Sequence, residues 1–147
     1  YGQYLPIQNR FRNFVVVIDL ETRQISSKDF IAALRKCLEF RGVNLDNWVF
    51  GCPDRMTENW ILADQDFIRS EFSLPDFEYQ GDGFGGKSFL KKLYKDKYPA
   101  KNYSEVADGA KFLKRISFEN ACVNSASAAA FRNNFDQANL ECWWIDK

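Results

Sequence analysis

The stretch FVVVID at residues 14–19 constrains the fold of this chain more than any other. Its residues are apolar and mostly β-branched, which is typical of a strand buried on both faces of a parallel sheet. An amphipathic helix follows at residues 26–42, with Ser27 as its expected N-cap and Gly42 as its stop. The stretch NWVFGCP at residues 47–53 then predicts a second buried strand. Strand, helix and strand of these lengths predict a βαβ unit with parallel strands and a right-handed crossover.

The rest of the chain is predicted to be mainly helical. Apolar residues recur with helical spacing in four stretches, at residues 55–70, 87–97, 104–116 and 125–140. The last residues, CWWIDK, are candidates for docking against the body. A length of 147 residues suits one α/β domain over residues 1–147. Because two strands do not form a sheet that needs covering on both faces, further strands are expected before Tyr1 or from a partner.

The chain contains no histidine, which excludes Ser-His-Asp and Cys-His catalysis within it. Any general base must therefore be a carboxylate, a lysine or a metal-bound hydroxide. The four cysteines form no C-x-x-C pair, which disfavours a zinc site and favours a reducing, cytoplasmic compartment. No apolar stretch approaches the length of a membrane span, so we expect no membrane contact.

The charges are unevenly distributed, although the formal net charge is zero. Residues 39–82 contain ten acidic and three basic side chains, whereas residues 86–115 contain nine basic and three acidic ones. Two interpretations remain open. The acidic and basic parts form a metal-and-phosphate site, or they are two solvated faces of the domain.

The stretch GDGFGGKS at residues 81–88 fits the phosphate-loop pattern G-x-x-x-x-G-K-[ST]. A working phosphate loop follows a buried strand, yet the preceding SLPDFEYQ contains Pro75 and several charges and makes a poor strand. The apolar strand that ends in an acid also precedes the loop rather than following it. We therefore interpret the glycines as a flexible approach to a helix that begins with Lys87, and nucleotide binding is the least favoured hypothesis.

Acidic residues follow both predicted strands. Asp19 ends the first strand and Glu21 stands two residues later, so both side chains lie on the same side of an extended chain. Two carboxylates at this spacing hold one or two divalent cations through hard oxygen ligands, or they are solvated acids of a loop. The ends of parallel strands lie together, which would bring Glu58 towards Asp19. Asp54 is expected as a helix N-cap and Asp64 as a surface acid.

Five stretches together resemble a bacterial family of unknown function related to Toprim nucleases. They are VVVIDLE, FGCPDRMTENWILAD, GGKSFLKKLY, YPAKNYSEVADGAKFLKRI and SASAAAFRNNF, and they cover the chain from about residue 13 to residue 140. Members of this family resemble the nuclease half of OLD-type (overcoming-lysogenization-defect) systems and often stand beside ATPase partners in phage-defence loci. The resemblance implies a Toprim-like, Rossmann-like parallel sheet core.

The resemblance also implies a metal site for Mg²⁺ or Mn²⁺. Asp19 and Glu21 match the strand-end acid pair of the Toprim fold, with Glu where Asp is usual at the second position. Glu58 matches the family's Glu before Trp, and Asp64 matches its Asp after Leu-Ala. Asp19, Glu21 and Glu58 would then hold the metal near the scissile phosphate of a nucleic acid, DNA in particular.

The same resemblance implies roles for three lysines. Lys87 matches the lysine that opens the later helix, and Lys101 matches the lysine after the tyrosine. Lys87, with Lys91 or Lys101 behind it, would neutralise phosphate charge. Glu58 and Lys87 would be the catalytic pair.

The sequence departs from the family at one important point. A Toprim domain opens with a strand that carries a Glu acting as general base or metal ligand, and no such element stands before residue 13. Either this strand and its helix are missing from this sequence, or this member is degenerate. The favoured hypothesis is a metal-dependent nuclease subunit that works with an ATPase partner in phage defence. The alternative is a catalytically inactive interaction module of the same fold.

Overall fold

A computed structural model describes residues 13–83 and 85–138. Its sheet consists of two short parallel strands, β1 (Phe14–Val17) and β2 (Trp48–Gly51), connected by helix α1 (Ser27–Phe40). The predicted βαβ unit and the α/β class are therefore confirmed. The strands expected before Tyr1 and the docking of CWWIDK lie outside the described residues.

Strand β1 is less buried than its composition predicts. Val15 and Val17 are 44% and 43% exposed, and the strand alternates between half-buried and exposed positions. The prediction of burial on both faces is wrong for β1, because within the described residues β1 pairs with β2 alone and its outer face has no cover. It holds for β2, whose Val49 and Phe50 are buried.

Helix α1 has the predicted length but a different cap. The Oγ of Ser26, not Ser27, accepts the N–H of Asp29, so the helix begins one residue after the capping serine. Gly42 follows the helix with a φ of +78°, a conformation that favours glycine and ends the helix as predicted. No residue of α1 is fully buried.

The second part of the described chain is helical, as predicted. Its elements are α2 (Glu58–Ala63), α3 (Gln65–Phe72), α4 (Gly86–Lys97), a π-helix (Glu105–Gly109), α5 (Ala110–Leu113), α6 (Phe118–Asn124) and α7 (Ala126–Gln137). The sequence pattern missed α6 and predicted α2 and α3 as one helix. It also did not indicate that the helix capped by Ser104 begins as a π-helix. No helix among the described residues is both long and apolar enough to cross a bilayer.

Asp64 explains why the stretch predicted as one helix forms two. Its carboxylate accepts the backbone N–H groups of Phe67 and Ser117, at 3.2 and 2.6 Å, and therefore caps α3 while holding the residue before α6. The side chain is buried, and the prediction of a surface acid is wrong. A buried carboxylate here satisfies backbone donors from two elements at once.

Apolar packing joins the helices in two clusters. One contains buried residues of α2 to α5, namely Ile61, Leu62, Ile68, Leu90, Leu93, Tyr94 and Phe112. The other is aromatic and stacks Trp60 of α2 on Phe131 of α7, with Phe118 of α6 meeting both edge-on. Helix α2 contributes to both clusters and is buried along its whole length, so it is the central element of the described fold.

The glycine-rich loop leads into α4 and allows this helix to pack closely against α2. Residues 73–83 form no strand, so the loop lacks the leading strand of a phosphate loop. A Cβ on Gly86 would collide with the side chain of Asn59, which shows that this glycine permits close approach of α4 to α2. The backbone N–H of Lys87 points at the sulfur of Met56, at 3.0 Å.

Asp82 of the same loop forms hydrogen bonds with the N-terminus of α7. Its carboxylate accepts the hydroxyl of Ser125 at 2.7 Å, the backbone N–H of Ser127 at 2.8 Å and the hydroxyl of Tyr79 at 3.1 Å. An acid at a helix N-terminus also interacts favourably with the helix dipole. The loop therefore binds a helix end of its own chain through Asp82.

We predict that Asp82→Ala lowers the free energy of unfolding by about 1–3 kcal/mol, because it leaves these donors without their acceptor. Urea unfolding followed by circular dichroism measures the change. Asp76→Ala, at an exposed position of the same loop region, serves as the control and is expected to leave the midpoint in place. Equal midpoints for the two variants would show that the contacts of Asp82 do not hold α7.

Candidate functional site

Asp19 joins the end of β1 to the start of α2. Beyond the two strands the pairing continues, because Ile18 and Leu20 donate their N–H groups to the carbonyls of Gly51 and Pro53. Asp19 stands between these two residues, and its Oδ1 accepts both the backbone N–H and the hydroxyl of Thr57, at 2.9 and 2.6 Å. This carboxylate therefore determines where α2 begins.

Glu58 follows Thr57 directly and is the first residue of α2. It is only 7% exposed, and the hydroxyl of Tyr103 donates to its Oε1 at 3.4 Å. Burial raises the pKa of the Glu58 carboxyl above its usual range, and the carboxylates of Glu105 and Asp19 add to the rise while Lys87 opposes it. The position of this acid thus carries an electrostatic cost when the carboxyl is ionised.

Lys87 and Lys91 of α4 share a single carboxylate. The Nζ of Lys87 lies 2.7 Å from one oxygen of Glu105, and the Nζ of Lys91 lies 3.2 Å from the other. The hydrogen bond with Glu105 raises the pKa of Lys87, and both lysines lower the pKa of Glu105. All three side chains are partly exposed, so the charges remain accessible to a ligand.

A cavity of about 310 Å³ lies where these elements meet. Its polar wall contains Asp19, Glu58, Tyr103 and Glu105, and its apolar wall contains Ile61, Val106 and Leu113. A Cβ on Gly109 would approach the hydroxyl of Tyr103 to 2.8 Å, so the glycine leaves room for the tyrosine that faces Glu58. We call this space the acidic cavity.

The structure brings together some of the predicted site residues and separates others. Asp19 and Glu58 line the acidic cavity, and Lys87 reaches Glu105 at its wall. Glu21 is not part of this wall; its side chain is 69% exposed and lies 3.6 Å from Arg23. Lys101 lines a different cavity, so it does not stand behind Lys87 as predicted from the sequence.

Glu105 was not found from the sequence. One signal could have indicated it, since it is one of only three acids in the basic stretch of residues 86–115. Its pairing with Lys87 and Lys91 joins the π-helix to α4, and sequence spacing does not reveal such a contact.

Two residues, each two positions along the chain from a residue that lines the acidic cavity, have strained backbones. Glu21 and Arg55 adopt φ angles of +54° and +68°, in the left-handed region that non-glycine residues rarely occupy. They face each other, because the N–H of Glu21 donates to the carbonyl of Arg55 at 2.7 Å and the guanidinium of Arg55 donates to the carbonyl of Glu21 at 3.1 Å. Strain of this kind concentrates at functional sites, where the surrounding structure holds it in place.

The set of acids does not form a closed metal cage. Throughout residues 13–83 and 85–138, no three His, Cys, Asp or Glu side chains are grouped so as to enclose an ion. The chain matches no protein-family model, and neither a curated protein nor a solved structure matches it. Its function therefore has to be inferred from the side chains around the acidic cavity.

We predict that Glu58→Gln stabilises the protein at neutral and alkaline pH. An acid whose pKa is raised on folding destabilises the fold as the pH rises from the unfolded-state pKa through the folded-state pKa. The amide has no charge to desolvate, so the melting temperature of the variant should exceed that of the wild type at pH 8, by about 2–4 °C for each kcal/mol gained. The gain should vanish once the pH falls below the ordinary pKa of glutamate.

The matched control is Glu78→Gln, at an exposed position for which no pH-dependent difference is expected. A Glu58→Gln variant that is less stable than the wild type at pH 8 would contradict a raised pKa for Glu58.

Proposed function

We propose that this chain is a nuclease-type subunit that hydrolyses phosphodiester bonds of nucleic acid, DNA in particular, with Mg²⁺ or Mn²⁺ held by Asp19 and Glu58. One observation carries the proposal. A carboxylate at the end of a parallel strand and a buried carboxylate line one cavity, and a lysine at a helix start pairs with Glu105 of the same cavity. Ligands of open parallel sheets bind at this edge, beyond the carboxyl ends of the strands.

The donor set suits a hydrated magnesium ion. Mg²⁺ is usually held by one or two carboxylates and keeps several waters, which substrate phosphates replace. Asp19 and Glu58 provide two such carboxylates, and the ionised form of Glu58 is costly without a nearby positive charge. A divalent cation bound there would lower the pKa of a bound water and stabilise the charge on the leaving oxygen.

Other side chains near the cavity would bind the phosphate and donate hydrogen bonds. Lys87, with Lys91 one turn further along α4, is placed to neutralise phosphate charge. Burial and the neighbouring Glu58 raise the pKa of Tyr103, so its hydroxyl stays protonated and available as a donor.

A second candidate function is a non-catalytic module that docks on an ATPase partner. The exposed face of β1 favours it, because Val15 and Val17 leave apolar surface uncovered in the described part of the chain.

Both candidate functions include a Toprim-like core, and the proposed nuclease subunit acts in phage defence. The described cysteines Cys37, Cys52 and Cys122 are free thiols, which supports a cytoplasmic location. Nucleotide binding by GDGFGGKS is disfavoured by the packing roles of Gly86 and Asp82.

We predict that purified protein cleaves plasmid or single-stranded DNA in Mg²⁺ or Mn²⁺ and that Asp19→Asn and Lys87→Met each lower the rate by about 100-fold or more. The first variant removes a carboxylate charge from the metal, and the second removes the cation nearest the phosphate. Gel assays with a chelator-treated sample as blank measure the rate.

Asp96→Asn is the matched control, because Asp96 is an exposed acid of α4. Wild-type activity in Asp19→Asn would rule out the metal role of Asp19. If neither the wild type nor any variant cleaves DNA, the interaction module becomes the better hypothesis.

We predict that Glu105→Gln tightens DNA binding by roughly two- to five-fold, the range expected when an exposed ion pair stops competing for a lysine. Without this carboxylate, Lys87 and Lys91 are free to contact phosphate, and the logarithm of affinity should depend more steeply on the logarithm of salt concentration. Fluorescence anisotropy in a chelating buffer measures both quantities.

Glu119→Gln is the control, since Glu119 is an exposed acid that pairs with Arg132 instead. Unchanged affinity and salt dependence in Glu105→Gln would show that phosphate does not compete for Lys87 and Lys91.

A further inference from the structure

One segment, residues 105–115, separates the acidic cavity from a second cavity of about 450 Å³. Glu105, Gly109 and Leu113 line the acidic cavity, whereas Lys111 and Arg115 line the second one. The wall between them is aromatic. Tyr103 of the acidic cavity contacts Tyr94 and Phe112 of the second cavity, with ring centroids 5.5 and 6.4 Å apart.

Buried Glu71 organises part of the second cavity. One oxygen of its carboxylate binds Lys97 at 2.7 Å and the hydroxyl of Tyr98 at 3.1 Å, and the other binds Arg115 at 2.5 Å. Burial alone would raise the pKa of Glu71, but the hydrogen bonds from Lys97, Arg115 and Tyr98 outweigh it and lower the pKa. The carboxylate is therefore ionised and fully engaged, and it holds two cations in fixed positions.

The charged side chains that line the second cavity have a positive balance. Four cations line it, Lys101, Lys111, Lys114 and Arg115, against the two acids Glu71 and Asp108. Asp108 lies 3.6 Å from Lys111. In the part of the chain that the structure describes, Lys101 and Lys114 have no carboxylate within 4.0 Å. The Nζ of Lys101 lies 5.7 Å from the centre of the Tyr98 ring.

We propose that this second cavity binds the phosphate backbone of a single-stranded nucleic acid, with Lys101 and Lys114 as the phosphate contacts. Cations combined with aromatic side chains are the usual means of holding a single strand, and Tyr98 is the partly exposed aromatic residue of this cavity. A concave space of this volume is in the range of small-molecule pockets, so it suits a short part of a strand rather than the broad surface of a duplex. The site rests on the proposed function, because residues 105–115 line both this cavity and the one that contains Asp19 and Glu58.

An acidic peptide is the competing ligand class, and the neighbouring cavity disfavours it. A peptide rich in carboxylates that extended past the shared wall would meet the carboxylates of Asp19, Glu58 and Glu105. A nucleic-acid strand would meet the same carboxylates, but its phosphates are the groups that a metal there and Lys87 would bind.

The test is binding without cleavage, measured by the anisotropy of a labelled thymidine strand of about 12 nucleotides, within the range that single-strand binding sites cover. The protein is the full chain in a chelating buffer, where no metal-dependent cleavage occurs. Lys101→Glu/Lys114→Glu should bind the strand roughly tenfold or more weakly. The slope of the logarithm of affinity against the logarithm of salt concentration should also be shallower, by the amount that corresponds to the loss of about two phosphate contacts. Lys28→Glu/Lys36→Glu, which changes the same number of exposed lysines on α1, is the control for net charge.

Equal losses in the two double variants would overturn the proposal, since the effect would then be one of net charge alone. Tight binding of a polyglutamate peptide that competes with the strand, or binding of pyrophosphate without the strand, would also overturn it. Because the assay excludes catalysis, loss of strand binding in Lys101→Glu/Lys114→Glu supports this site even if the chain proves unable to cleave DNA. Cleavage that persists in this variant with unchanged strand affinity refutes this site and leaves the nuclease proposal intact.

Discussion

The two hydrogen bonds that Thr57 donates to Asp19 determine the geometry of the candidate site. The parallel pairing of β1 and β2 brings Asp19 to the point where the chain enters α2. Its carboxylate accepts a backbone N–H and a hydroxyl from the residue before Glu58. Hydrogen bonds to a charged acceptor are stronger than neutral ones, so the start of α2 is held in one place. The position of Glu58 depends on these bonds, and so does one wall of the acidic cavity.

The same local geometry explains why the phosphate-loop pattern is misleading here. In a phosphate loop the glycines let the backbone approach a nucleotide. In this chain Gly86 lets α4 approach Asn59 of α2, and Asp82 occupies the start of α7. Lys87 is thereby placed at the beginning of a helix beside Glu105 and near Asp19 and Glu58. Packing of α4 on α2 therefore brings Lys87 near Asp19 and Glu58, and Gly86 permits this packing.

Local patterns in the sequence predicted both strands, most of the helices and part of the site. The apolar run of β1 and the position of Asp19 at its end follow from strand composition, and the lysine at the start of α4 follows from helical periodicity. Long-range contacts could not be predicted. Buried Asp64 accepts the backbone N–H of Ser117, 53 residues away, and Glu105 of the π-helix pairs with Lys87 of α4. The exposure of Val15 and Val17 likewise depends on which elements cover β1, which composition does not reveal.

The central claim is that Asp19 and Glu58 share a divalent cation. Anomalous diffraction from crystals soaked in Mn²⁺ tests it most directly, because the signal locates the ion without reference to activity. The account predicts a peak at about 2.0–2.3 Å from an oxygen of each carboxylate, close to the distances that such hard cations adopt. An acidic cavity without a peak at saturating Mn²⁺, or a peak bound by other side chains only, would contradict it.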